Sequence, residues 1–160
     1  MPGSYSSLPE NFKIVQLYVG QGTTAEVSTD CVSLKNAQNA WLVVNLDCTA
    51  SSACLVTPMR ATDVAKTGGA VLANVVPIWA NVNTAATDTL VRATAALNYT
   101  TIANAYYKQL IFEIDPANLG TTFDCVYMTI GALAATEALC VEAIIETRYP
   151  QATPPAAITD

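Results

Sequence analysis

The chain predicts an all-β fold, an antiparallel β-sandwich of jelly-roll type, and three observations predict it. Short runs of alternating apolar and polar residues recur about eight times, the period of strands with one buried face. Clusters of Gly, Pro, Asn and Asp punctuate them. No regular alternation of strands with long helical patterns appears, which argues against a parallel α/β sheet.

Taken in order, residues 1–10 are small and polar with two prolines and read as an N-terminal arm. Residues 11–149 read as the sandwich domain, and Phe12–Val19 is its first strand, stopped by Gly20-Gln21-Gly22. Thr23–Asp30 is a weak edge strand or loop. Ala40–Asp47 is a firm strand with Trp41, Val43 and Asn45 on one face and Leu42, Val44 and Leu46 on the other. In Leu55–Ala61, Pro58 removes a ladder donor, so an edge or bulged strand is expected.

Lys66–Gly69 reads as a turn, Val75–Val82 as a strand containing Pro77, and Thr87–Arg92 as a short alternating strand. Ala93–Tyr107 is Ala-rich and reads as a loop with a helical turn. Lys108–Ile130 is the firmest stretch, with Leu110, Phe112 and Ile114 set against Gln109, Ile111 and Glu113. Asp115-Pro116 stops that run, and Val126, Met128 and Ile130 then alternate with Cys125, Tyr127 and Thr129; the two runs read as one antiparallel pair. Cys140–Arg148 fits strand and helix periods both, and its neighbours favour strand. Residues 150–160 form a proline-rich C-terminal arm.

Composition narrows the function. The chain has 160 residues, enough for one domain with a real core. It is 52% hydrophobic and only 12% charged, half the usual charged share near 25%, so either Thr, Asn, Gln and Ser cover the outside or, the favoured reading, much of it is buried in an assembly. A net charge of −6 with seven scattered Lys and Arg opposes a nucleic-acid partner, which needs a clustered basic face. No run approaches the length of a membrane-spanning helix, so no membrane partner is expected.

The opening MPGSYSSLPENFK lacks a basic segment followed by an apolar one, so no secretory leader is read in it. The five cysteines are then expected to be reduced, although Cys48 and Cys54 can bridge a turn if oxidised.

The chemistry-bearing residues point away from catalysis. The chain has no histidine, which removes His-dependent triads, most zinc sites and the commonest general base. No CxxC, Walker loop or GxGxxG occurs, and neither a cofactor nor a metal site is predicted. Glu113, Asp115 and Asp124 are the best-placed carboxylates for paired acid–base work. Their positions also suit a polar strand face, a turn before proline and a strand start. Arg60, Arg92 and Arg148 are isolated and read as surface ion-pair partners, and Asn98-Tyr99-Thr100 as a chance match to a glycosylation acceptor.

Pro77, Ile78 and Trp79, with Tyr106 and Tyr107, are candidate interface anchors, because aromatic residues favour interface centres. Trp41 is expected in the core, and Trp79 either there or at an interface.

Several phrases together carry a resemblance: LPENFKIV, CVSLKNAQNAWLVV, VPIWANVNTAATDTLVRATAA, IDPANLGTTFDCVYMTIGA and RYPQATPPAAI. They are similar to the small decoration or cement proteins on the heads of tailed bacteriophages. The resemblance implies a compact β fold with extended arms, self-association as a dimer or trimer, and the major capsid protein as partner. It implies residence on the virion head after assembly in the host cytoplasm, and Pro154 and Pro155 in the C-terminal arm as shell contacts. It carries no active site. A carbohydrate-binding or adhesin-type sandwich is the alternative, from tyrosines and tryptophans near loops that can stack on sugar faces.

Overall fold

The computed structural model describes residues 8–48, 53–104, 106–149 and 157–158. Their strands are β1 (Phe12–Gln21), β2 (Val27–Ser28), β3 (Val32–Ser33), β4 (Ala37–Asp47), β5 (Leu55–Ala61), β6 (Ala70–Val71), β7 (Val76–Asn81), β8 (Val91–Ala96), β9 (Tyr99–Thr100), β10 (Tyr107–Ile114), β11 (Cys125–Ile130) and β12 (Ala138–Thr147). β2, β3, β6 and β9 are two-residue ladders, which leaves the longer strands as the frame of an antiparallel β-sandwich. One helical turn, Leu8–Asn11, leads into β1.

The larger sheet runs β1-β12-β4-β10-β7-β8 and the smaller β2-β11-β5-β6, with β3 also on β11 and β9 on β5. Only β7 and β8 are both neighbours in the larger sheet and consecutive in the chain. Elsewhere the chain repeatedly crosses between sheets.

That crossing corrects the expectation for Lys108–Ile130. Both strands are present with the predicted faces, but β10 pairs with β4 and β7, while β11 pairs with β5, β2 and β3. The connection explains the difference. The Asp115 carboxylate accepts Ala117 N–H at 2.9 Å and caps a 3-10 turn, Pro116–Asn118, and Leu119 beyond it is buried. A segment of this length spans the ~10 Å between packed sheets, which a tight hairpin turn cannot.

Pro58 required a different correction, because β5 is central, flanked by β11 on one side and by β6 and β9 on the other. Its partner across the ladder is Met128, whose N–H and C=O both turn away to Thr29. The pair is therefore a non-hydrogen-bonded one, and the missing N–H of Pro58 faces the gap between β9, which pairs at Leu55 and Val56, and β6, which pairs at Met59 and Arg60. Pro77 sits where the β7–β8 register shifts, another tolerated position.

The remaining differences are local. The strand expected over Thr87–Arg92 lies at Val91–Ala96, and Ala93–Tyr107 contains strand residues and no helix among its described residues. Lys66–Gly69 is a turn with Lys66 and Gly68 at φ of 67° and 64°. Cys140–Thr147 falls in β12, as the neighbouring strands suggested, and Arg148 follows just past its end.

The core follows from the period of two. Leu42, Val44 and Leu46 of β4, Leu110, Phe112 and Ile114 of β10, and Val141, Ala143 and Ile145 of β12 point inward. They share one cluster with Val56, Val126, Met128 and Ile130 of the smaller sheet. Burying each large side chain contributes about 1.5–3 kcal/mol before the entropy of ordering it. Lys108 also occupies an inward position, only 1% exposed, and its Nζ donates to the carbonyls of Asn104 (2.9 Å) and Tyr106 (3.2 Å).

Of the C-terminal arm, Ala157 and Ile158 are described. Ala157 is buried against the core and its carbonyl accepts the Ser33 N–H at 2.6 Å. Pro154 and Pro155 lie outside the described residues. All five cysteines are free thiols, Cys48 and Cys54 included. Burial pushes the Cys31 thiol up to about 11 and Cys54 up to about 12.

Candidate functional site

Each sheet gives one face to the core, and the two outer faces differ. On the smaller sheet Cys31, Ala61, Cys125 and Tyr127 form a second buried cluster with Met59 and Val64 against it. The 62–69 turn closes over that cluster. Lys66 Nζ lies 5.2 Å from the Tyr127 ring centroid, and a Cβ at Gly69 would sit 2.5 Å from Tyr127 Oη, so any side chain there would push the tyrosine hydroxyl aside.

The outer face of the larger sheet is left half-buried and apolar at its centre. Register places its side chains in rows. Ile14, Ile144, Trp41 and Glu113 are successive cross-strand partners from β1 to β10. The next row runs Gln16, Glu142, Val43, Ile111, Trp79 and Arg92 across all six strands. A third runs Val19, Cys140, Asn45, Gln109 and Asn81. The centre is thus a continuous strip of Ile14, Ile144, Trp41, Val43, Ile111 and Trp79, in which Ile14 on the edge strand β1 is 54% exposed and Val43 is buried at 8% between its neighbours.

The polar groups around this strip are held in place. Trp79 Nε1 donates to Glu113 Oε1 at 3.0 Å, and the Arg92 guanidinium lies 5.9 Å from the Trp79 ring. Asn39 Nδ2 donates to Glu146 at 2.6 Å, and Gln109 Nε2 to Asn45 Oδ1 at 3.0 Å. Cross-strand pairs of this kind stiffen a sheet surface and fix its geometry before any partner arrives.

Two recesses flank the strip. One of about 590 Å³ is lined by Val19, Asn45, Asp47, Tyr107 and Cys140, the other of about 380 Å³ by Asn39, Trp41, Pro77, Glu113 and Asp115.

The candidate anchors divide. Pro77 and Trp79 belong to the outer face, and Tyr107 begins β10 there, opposite Asp47 and 52% exposed. Tyr106 is exposed beside it. Ile78 does not join them: alternation turns it into the core, where it is fully buried, so it cannot touch a partner. Trp41 corrects the expectation of a core residue, because Leu42, Val44 and Leu46 take the inward phase of β4 and leave Trp41 outside.

The carboxylates do not converge as a set. Glu113 accepts from the Trp79 indole, and Asp115 caps its turn. Asp124 lies by the smaller sheet, 3.6 Å from Lys35 Nζ. The arginines make other contacts than ion pairs among the described residues. Arg60 stacks over Phe123 at 4.1 Å and donates to the Leu119 carbonyl, Arg92 reaches Trp79, and Arg148 donates to the Ala37 carbonyl at 3.1 Å.

Besides Ile14 on the edge strand, the residues that sequence reasoning missed are Val43, Ile111 and Ile144. Their signal was present: each is apolar on the outward phase of its strand, between Trp41 and Asn45, Gln109 and Glu113, and Glu142 and Glu146 respectively.

Fold and face together define a β-sandwich that carries a preformed sheet surface. No protein-family model matches the chain, and no curated protein matches it. Among solved structures, the chain is similar to the crystal structure of the SPBc2 prophage-derived protein YomS, at 12% identity and a TM-score of 0.46, over 84% of this chain and 92% of that one.

Proposed function

We propose that this chain is a non-enzymatic structural protein of a phage head, which binds the shell of major capsid protein through the outer face of its larger sheet. One observation carries the reading: five of the six strands carry an apolar strip, from Ile14 to Trp79, on the face that the core does not use. Such a patch on a stable domain marks an interaction surface. The head-protein resemblance of the sequence supports a virion setting, and the low charged fraction suits a protein buried in an assembly. Setting the β7–β8 hairpin aside, the order β1-β12-β4-β10 facing β2-β11-β5-β6 supports a jelly-roll reading, with the hairpin widening the face by Trp79 and Arg92. Self-association on the shell and the arms as further shell contacts belong to the same proposal.

The test is co-sedimentation of the purified chain with empty heads. Saturable binding that protects the outer-face strands from hydrogen exchange supports the reading. Binding with protection elsewhere, or no binding, removes it.

A second reading has its own observation. Trp41 and Trp79 flank β10 on the outer face beside Glu113, Asn45 and Gln109, an arrangement that can stack and hydrogen-bond a sugar. A glycan panel showing saturable binding abolished by Trp41→Ala would favour it over the shell.

A further inference from the structure

Resting on the reading of the outer face as the docking surface, we propose the chemistry of its partner: a protein surface of apolar side chains ringed by lysines and arginines. The charge distribution argues it. Glu113, Glu142 and Glu146 lie on or beside the apolar strip, and Asp47 and Asp115 line the recesses at its ends. Arg92 is the one basic residue in the rows, and it is already stacked on Trp79. Glu142 sits at mid-face between Gln16 and Val43, half-buried, with no basic group at ion-pair distance among the described residues.

Covering that carboxylate with an apolar surface alone would leave an uncompensated charge, which is costly. A second copy of the same face would bring like charges together, and that juxtaposition is repulsive. A basic partner resolves both problems. Glu113 and Glu146, fixed by Trp79 and Asn39, then offer oriented acceptors to arginine or lysine heads, while the aliphatic stems of those residues cover the strip.

The chain supplies its own probe. It has two tryptophans, and both Trp41 and Trp79 stand on this face, so their emission reports occupancy there. The experiment titrates the full chain with an alternating Lys-Leu peptide, with a Glu-Leu peptide of equal length, and with empty phage heads, at roughly 0.05 M and 0.5 M salt.

The proposal expects a saturable emission shift with the Lys-Leu peptide, absent with Glu-Leu and weakened about tenfold by the higher salt. Glu142→Gln, at a residue with no side-chain hydrogen bond among the described residues, is expected to weaken it severalfold without moving the melting temperature. Equal response to both peptides, or none to either, overturns the proposal, as does concentration-dependent dimerisation through this face. Heads that bind independently of salt and of Glu142→Gln overturn it while the shell reading stands. A Lys-Leu response without head binding supports the partner chemistry and removes the shell as the partner.

Discussion

The Trp79 indole N–H donates to the Glu113 carboxylate at 3.0 Å across the outer face, joining β7 to β10. The bond turns an acidic residue, first considered for chemistry, into a fixed element of a surface. It also orients one of the two tryptophans on which that surface is built. A charge-assisted bond of this type contributes about 1.5–3 kcal/mol at most, and less where water reaches it. A double-mutant cycle of Trp79→Phe and Glu113→Ala is expected to give a coupling of about 1 kcal/mol in urea unfolding. Additive effects would show that the pair does not act as a unit.

Thr29 tests the placement of Pro58. The Thr29 hydroxyl oxygen accepts the Met128 N–H at 3.0 Å in a fully buried setting. Thr29→Val keeps the shape and leaves that donor unpaired, with an expected loss of about 1–3 kcal/mol. Thr29→Ser, which retains the acceptor, is expected to lose less. Equal losses would mean that packing, rather than the hydrogen bond, matters there.

Asp115 tests the crossing between sheets. Its carboxylate accepts from Ala117 N–H at 2.9 Å and from Asn118 Nδ2 at 3.1 Å. Asp115→Ala is expected to cost about 1 kcal/mol in chemical denaturation, and Asp115→Asn less, as for other caps. An unchanged unfolding midpoint would deny the cap a role in setting the connection.

The thiols predict an alkaline limit. Burial raises Cys31 to about 11 and Cys54 to about 12 from a value of 9.0 in the unfolded chain. Between those limits the folded state keeps protons that the unfolded state has released. These groups leave stability unchanged below pH 9 and reduce it progressively from pH 9 up to about 11 for Cys31 and about 12 for Cys54. Urea midpoints measured from pH 8 upward should fall in that window, with a smaller fall in Cys54→Ala; a flat profile would contradict the burial. In native protein near pH 8, Cys140 is expected to react first with a thiol reagent, since the other four are buried.

Much of the fold was legible in the residues, because a period of two marks faces directly. β4 and β10 showed their inward and outward sets before any pairing was known, whereas the residues of β12 fitted strand and helix periods both and Ile144 went unnoticed as an outer-face residue. Pairing was not legible. Asp115-Pro116 marks the end of a strand but does not say whether the next strand returns beside it or crosses to the other sheet. Pro58 misled for a related reason: proline forbids a ladder donor, and only the gap between β6 and β9 shows that none is needed. Trp41 was assigned to the core by size, although its own strand pattern placed it outside.

The central claim is that the outer face of the larger sheet is the binding surface. The most direct measurement compares head binding by the wild-type chain with that of Ile111→Thr/Ile144→Thr, which trims the strip and keeps β-branched residues on both strands. The account predicts at least about a tenfold loss of affinity in co-sedimentation, with a cooperative unfolding transition retained. Unchanged affinity in a folded double variant would contradict it.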